Sequence, residues 1–250
     1  MEVDTAQSTE QAVARIDAQR RDFVANVSHG LRTPLTVLAG FIELLQGHPV
    51  SDTERDRALR IMAQQAAQMS AMTGELLLLA RLEESAEAEA PEWSDLSPVL
   101  EAIKAEAEIL SDGRHRLSFP EVGTASIAMP SHLLHCAISN LVCNAITFTP
   151  PGERITVNWA RSGPSGGELS VRDTGIGIAA EHLPRLTERF YCVNRERTRK
   201  AAGSGLGLAI VREIMMRVGG QLQIYSEVGE GSRFCLIFPP DRTRMDYREH

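Results

Sequence analysis

The stretch DFVANVSHGLRTPLTVLAGF, Asp22–Phe41, decides how the first third of the chain is read. It has the apolar spacing of an amphipathic helix, yet it holds His29 with Gly30 beside it and Pro34 five residues on. In a helix interior Gly costs about 1 kcal/mol against Ala, and Pro about 3 kcal/mol. Packing alone gives no reason to place both around one histidine. Further out, Val13, Ile16, Phe23, Val27, Leu31, Leu38, Ile42 and Leu45 fall at steps of three and four or their sums, the stripe of a long helix. Gly47 suits a C-cap, Pro49 forbids continuation, and Ser51 with Glu54 forms a capping-box pattern for a second helix. That helix carries Leu59, Met62, Ala66, Met69 and Leu76. The spacing predicts a two-helix hairpin whose stripes stay uncovered in one copy, so two copies are expected to pair into a four-helix bundle.

His29 lies two residues from both Val27 and Leu31, about 200° around the helix from each at roughly 100° per residue. It points away from the stripe. Pro34 has no amide to donate to the Gly30 carbonyl, so the helix is weakened next to an exposed imidazole. A neutral imidazole is a competent nucleophile, although an isolated surface histidine is ordinary too.

The composition narrows the classes. With 26 basic against 33 acidic residues, the net charge of −7 argues against a general nucleic-acid binder. Cys136, Cys143, Cys192 and Cys235 show no metal-ligand or disulfide-framework spacing, and reduced thiols in a cytosolic compartment are expected. The longest apolar run, Leu76–Ala80, is too short to span a bilayer, so the chain as given is expected to be soluble.

After the acidic, proline-containing stretch EESAEAEAPEWS (Glu83–Ser94) a second domain is expected. Ser97 and Pro98 read as N-cap and first residue of a helix. Another helix starts near Ser131 and carries Leu134, Ile138, Leu141, Val142 and Ala145. Strands are expected at Ile155–Trp159, Glu168–Arg172, Gln221–Tyr225 and Phe234–Phe238. Helices on one side of a mixed, largely antiparallel sheet make an α+β sandwich.

Three clusters in this second domain carry chemistry. In NLVCNA, Asn140 and Asn144 stand at i and i+4 on one helix face, where two carboxamides can share a cation and its phosphate ligands. In VRDTGIGI a strand ends at Asp173, a carboxylate able to accept from an exocyclic amine, with Gly175 and Gly177 permitting close backbone approach. In GSGLGLAIV, Gly203, Gly205 and Gly207 open a helix, an anion site made from free amides and the helix dipole. It is neither a dinucleotide fingerprint nor a P-loop, because no strand leads straight in and no Lys-Ser/Thr follows. Arg185, Arg189, Arg195, Arg197, Arg199 and Lys200 face only Glu188 and Glu196 between the last two clusters, a balance that suits a lid over triphosphate.

Taken in order, the His29 stretch, Asn140 and Asn144, Asp173-x-Gly175-x-Gly177, Phe190 and Gly203-x-Gly205-x-Gly207 resemble the cytoplasmic core of bacterial sensor histidine kinases, from about residue 20 to 239. RRDFVANVSHGLRTPLTVLAGF and ERFYCVNRERTR look closest to the sensor kinases of the phosphate regulon. The resemblance implies a linker helix (1–19), a dimerisation and histidine-phosphotransfer hairpin (20–84), a linker (85–94), a Bergerat-type ATP-binding domain (95–240) and a tail (241–250). It implies His29 as phospho-acceptor with Arg32 and Thr33 beside it, Asn144 as Mg²⁺ ligand, Asn140 as a phosphate-side contact and Asp173 as adenine reader. Phe190 belongs by the same resemblance to the lid anchor, and Gly203, Gly205, Leu206 and Gly207 to the phosphate end of an ATP pocket. A homodimer and a PhoB-like response regulator with a receiver-domain aspartate are the implied partners, and the implied location is the cytoplasmic part of an inner-membrane sensor.

Gly30 departs from the pattern, because the resembling kinases place Glu or Asp after the histidine; Thr147 and Cys192 stand where basic residues are common. Three readings follow. The leading one is an ATP-dependent histidine kinase that relays phosphate. The second is a kinase-impaired form acting mainly as a phosphatase, through Thr33, or as an ATP-binding scaffold. The third, an ATPase clamp of the gyrase and chaperone kind, calls for a carboxylate base where this chain has Asn140.

Overall fold

A computed structural model describes residues 2–47, 49–84, 92–162, 166–193 and 204–246, with side chains from 23 to 244 among them. Two compact units meet at Gly74 and Glu75.

The first unit is a pair of helices. α1 (Glu2–Gly47) runs through Pro34, which is buried, and stops at Gly47 as expected. α2 (Asp52–Glu84) opens on the capping box read from the sequence. The Ser51 amide and hydroxyl donate to Glu54 Oε2 at 2.9 and 2.7 Å, and the Glu54 amide donates to Ser51 Oγ at 3.3 Å. Those bonds hold the exposed Glu54 carboxylate below its usual range. Among the described side chains of this unit few are buried: Ala58 and Met72 on α2 and Pro34 on α1. Phe23, Val27, Leu31, Leu38, Leu45, Met62 and Met69 are half-buried. Ile42, Leu59 and Ala66, expected on the stripes, are exposed, because a seam between two helices is narrower than the full apolar face of either.

The second unit begins inside α2, at Glu75. It continues through β1 (Trp93–Asp95), α3 (Leu96–Ser111), β2 (Arg116–Ser118), β3 (Thr124–Ala128) and α4 (Ser131–Phe148). Next come β4 (Arg154–Ser162), β5 (Gly166–Asp173), a 3-10 turn (Ala180–Arg185) and α5 (Gly207–Arg217). β6 (Gln221–Glu227), β7 (Gly231–Phe238) and β8 (Thr243–Asp246) complete it. Five strands lie in the order β2-β4-β5-β7-β6; β2 runs parallel to β4 and the other pairs are antiparallel. β1, β3 and β8 form a separate antiparallel sheet. α4 packs against both α3 and α5.

The fold is thus the expected α+β sandwich, with the four expected strands in the large sheet. Leu134, Ile138, Leu141, Val142 and Ala145 of α4 are all buried, in one core with Ile155, Val157, Leu169, Val171, Leu236 and Ile210. β1, β2, β3 and β8 escaped the sequence reading because each has three to five residues, too few to show alternation. The start of α3 is corrected. Its N-cap is Asp95, not Ser97, and the Asp95 carboxylate accepts from the Ser126 hydroxyl at 2.8 Å across the small sheet. Pro98 still falls in the first turn, where its missing N–H leaves no bond unmade. The expected domain boundary near residue 90 lies outside the described residues.

Candidate functional site

The second unit holds a cavity of about 320 Å³ between α4 and the turns that follow β5 and precede α5. α4 supplies its long wall. Buried positions set one face of this helix against the sheet, which leaves Asn140, Asn144, Thr147 and Phe148 to line the cavity.

At one end β5 delivers Asp173, only 4% exposed. The Gly175 amide donates to its Oδ1 at 2.8 Å, and the Ser232 amide bonds to it as well. Burial pushes this carboxyl above the usual aspartate range, while the two amides pull it back. The result is a desolvated acceptor of fixed aim, the group needed to take a hydrogen bond from an exocyclic amine. Gly177 lines the same end; Gly175 acts through its amide.

At the other end the start of α5 closes on Asn140. The Asn140 amide donates to the Cys136 carbonyl at 2.9 Å, which turns its Oδ1 toward Gly207. A Cβ on Gly207 would sit 2.3 Å from that oxygen, so only glycine lets the helix start approach. Gly205 has φ +77°, and its carbonyl accepts from the Phe190 amide at 2.9 Å. Phe190 itself adopts φ +63°, sparsely populated for a bulky residue and held here by that clip. Asn140, Asn144 and the glycine-opened helix place carboxamide oxygens and free amides together. This set suits Mg²⁺, which keeps water and phosphate oxygens in its shell and asks little of the protein.

Asn140, Asn144, Asp173, Gly177, Gly205 and Gly207 therefore share one cavity. Leu206 does not line it: its side chain is wholly buried in the core, and its amide donates to Ser204 Oγ at 3.0 Å. Phe190 stands behind the wall, partly buried against the core. Gly203 and the basic residues Arg195, Arg197, Arg199 and Lys200 lie outside the described residues. Of the rest of that basic run, Arg185 is held by Glu188 at 3.0 Å and lies over the Tyr191 ring, and Arg189 pairs with Glu83. Glu75, Cys143, Tyr191, Ser204 and Ser232 also line the cavity and went unread. Ser204 sits inside the quoted glycine cluster, but nothing in the apolar Leu76–Ala80 context marks Glu75 as a wall residue.

In the first unit His29, Arg32 and Thr33 are all exposed on α1. The Thr33 hydroxyl donates to the His29 carbonyl at 3.3 Å and the Thr36 hydroxyl to that of Arg32 at 2.9 Å, so local side chains serve the backbone around Pro34. Gly30 faces α2, where a Cβ would meet Met72 Cε at 2.6 Å and Sδ at 3.2 Å.

Comparison with known proteins covers both units. Residues 19–85 match the His Kinase A (phospho-acceptor) domain, and residues 130–242 match the histidine kinase-, DNA gyrase B- and HSP90-like ATPase family. The chain is 43% identical over 230 residues to the phosphate regulon sensor protein PhoR of Pseudomonas aeruginosa, covering 91% of this chain and 52% of that protein. It is 34% identical to the sensor-like histidine kinase SenX3 of Mycolicibacterium smegmatis, covering 94% of this chain and 62% of that one. It spans about half the length of the phosphate regulon sensors it matches. Among solved structures, the Acinetobacter baumannii histidine kinase AdeS shares the fold, with a TM-score of 0.66 at 22% identity over 86% of this chain and 98% of that one. A phospho-acceptor hairpin followed by an ATPase sandwich, matched in that order by these relatives, means that the chain belongs to the sensor histidine kinases.

Proposed function

We propose that the chain is the catalytic core of a two-component kinase acting in phosphate-starvation signalling, which phosphorylates His29 from ATP and passes the group to an aspartate of a PhoB-like response regulator. One observation carries most of this reading: a single cavity joins a buried acceptor, Asp173, to the carboxamides of Asn140 and Asn144 and the amides opening α5. Asp173 takes the adenine amine, and Asn140 with the α5 amides takes the phosphates. Asn144 would hold Mg²⁺, which would neutralise charge on the phosphate oxygens. An imidazole nitrogen of His29 attacks the γ-phosphorus, the bond to the ADP oxygen breaks, and the imidazole N–H proton is lost to solvent or a base. The exposure of His29 serves two encounters, one with ATP and one with the regulator. A homodimer follows from the uncovered faces of the hairpin, and the chain is read as the cytoplasmic part of a membrane-anchored sensor.

The test is acid-labile, base-stable ³²P incorporation from γ-labelled ATP. We expect label on the wild-type chain, none with His29→Ala, and none with Asn144→Ala. Label that survives His29→Ala overturns the assignment of the acceptor.

A second reading rests on Gly30. Residue 30 carries no carboxylate, and the Met72 thioether lies where its side chain would begin. Losing a general base typically costs about 10²- to 10⁴-fold. Gly30→Glu is then expected to raise the initial labelling rate by a factor within that range. If ATP binds and neither protein takes label, the main activity is removal of phosphate from the regulator, with Thr33 orienting water.

A further inference from the structure

The last ten residues of α2 form a strap on the second unit. Leu79 and Leu82 are 3% and 4% exposed and belong to the same core as Leu96 and Leu141. The Arg217 guanidinium on α5 donates to the carbonyls of Leu82 and Arg81 at 3.2 and 3.4 Å, near the C-terminal end of the strap. Glu83 pairs with Arg189. At its other end the strap places Glu75 in the wall of the cavity, where the Ser204 hydroxyl donates to its carboxylate.

The position of Glu75 can be read along α4. Cys136, Asn140, Asn144 and Phe148 follow at four-residue steps, one above the other on a helix. Phe148 marks the Asp173 end, since its carbonyl and Asp173 Oδ1 both crowd Gly175. Glu75 is at the opposite end: its charge acts on the Cys136 thiol, and its partner Ser204 immediately precedes Gly205 and Gly207, the latter against Asn140. Two carboxylates thus stand at opposite ends of one cavity. Asp173 has work at the adenine end. Glu75 stands where a triphosphate must go, and among the described residues lining the cavity none is basic.

We propose that Glu75 is a built-in anionic competitor for nucleotide phosphate: the strap and Ser204 hold it at the phosphate end of the cavity, and the polyphosphate binds as it withdraws. Like charges at close range in a partly desolvated site repel strongly, and neither can occupy the end while the other does. Glu75 is the first residue of the strap, so a displacement of that first turn moves it directly. Its position then sets ATP affinity. Burial pushes the Glu75 carboxyl above its usual range against the pull of the Ser204 bond, consistent with a group held in a site made for something else.

This inference rests on the cavity being a nucleotide site, and the experiment separates the two. Glu75→Gln keeps the length of the side chain and a hydrogen bond to Ser204 while removing the charge. Mg-ATP, ADP and adenosine are titrated calorimetrically into the full chain and into Glu75→Gln. ATP affinity is expected to rise roughly tenfold, ADP affinity by less, and adenosine affinity not at all. Glu83→Gln loosens the strap away from the cavity and is expected to raise ATP affinity two- to threefold at roughly that scale. If adenosine binds both proteins alike and ATP is unchanged or weaker in Glu75→Gln, the competitor role is overturned and Glu75 is structural or supports the metal. If adenosine and ATP bind neither protein, the nucleotide reading itself falls.

Discussion

The hairpin and the sandwich bury their apolar residues to different depths. In the second unit a continuous set from α3, α4, α5 and the large sheet is almost wholly withdrawn from water, with Leu96, Leu134, Ile138, Leu141, Leu169, Ile210 and Leu236 each at 0–1% exposed. In the first, Ala58 and Met72 are the buried apolar side chains of α2 up to residue 74, while Val24, Leu35, Ile42, Leu44 and Leu59 stand 43–57% exposed. A unit that closes its own core is stable alone. Two helices that cannot do so need a second apolar surface, and identical hairpins supply one by two-fold pairing. The difference teaches where assembly enters: the described lining of the cavity comes from one chain, whereas the apolar faces around His29 are left uncovered in one.

The largest expected effect tests the depth of burial. Leu141→Ala should destabilise the second unit by about 2–5 kcal/mol in denaturant unfolding, since the cavity it leaves is enclosed. Ile42→Ala is the matched probe in the hairpin. If Ile42 stays exposed, the cost is within about 0.5 kcal/mol, the ordinary surface value. With a second copy on it, we expect about 1–2 kcal/mol and a midpoint that rises with protein concentration. Light scattering should give about 55 kDa, twice the 27.4 kDa chain. A 27.4 kDa species at micromolar concentration with a concentration-independent midpoint breaks the comparison.

A smaller effect sharpens it from the site. Asp173→Asn should weaken ATP and adenosine binding by about 1–3 kcal/mol, because the new amide presents a donor to a donor. Its effect on the empty protein has the opposite sign. Burial raises the carboxyl of Asp173 in the folded state, so folding favours its protonated form. That contribution is fully present below the unfolded pKa and is lost as pH rises through the folded one. At neutral pH Asn should therefore leave the thermal midpoint of the second unit unchanged or higher while binding falls. Adenosine affinity should drop on acidification with a midpoint above about 3.9, the free aspartate value. A variant that loses both binding and thermal stability would mean that Asp173 mainly supports the fold.

What the sequence made legible follows from range. The Ser51–Glu54 cap, the α4 stripe and the four longer strands depend on residues within a few positions of each other, and all were read correctly. Asn140, Asn144, Asp173 and Gly207 were singled out from short spacings, and the structure brings them to one cavity. The residues missed act at a distance. Glu75 meets Ser204 across 129 positions, and the Gly205 carbonyl clips the Phe190 amide from a separate stretch of the chain. The paired strands β1, β3 and β8 join residues from the two ends of the second unit, which no local pattern announces. Ile42 and Leu59 were read onto the stripes and stand exposed in one chain: an apolar stripe says that a face is to be covered, not by which neighbour.

The smallest expected effect concerns Gly30, where both units offer a glycine in close contact but of different kinds. At Gly177 an added Cβ would lie 1.8 Å from the Glu227 carbonyl oxygen, a backbone atom that cannot move without shifting β6. At Gly30 the obstruction is the Met72 methyl, the free end of a flexible thioether. Gly30→Ala removes a helix-interior glycine, a gain of about 0.5–1 kcal/mol, and requires Met72 to take another rotamer at a cost of similar size. The net change in hairpin stability should lie within about 0.5 kcal/mol of zero. Met72→Ala isolates the two contributions: on that background the obstruction is gone, and Gly30→Ala should stabilise by the full helix gain. The four proteins form a double-mutant cycle, with an expected coupling of about 0.5–1 kcal/mol. Zero coupling would show that Met72 does not govern the space beside His29. The labelling rate of Gly30→Glu would then report on the added carboxylate alone, free of any repacking of the hairpin.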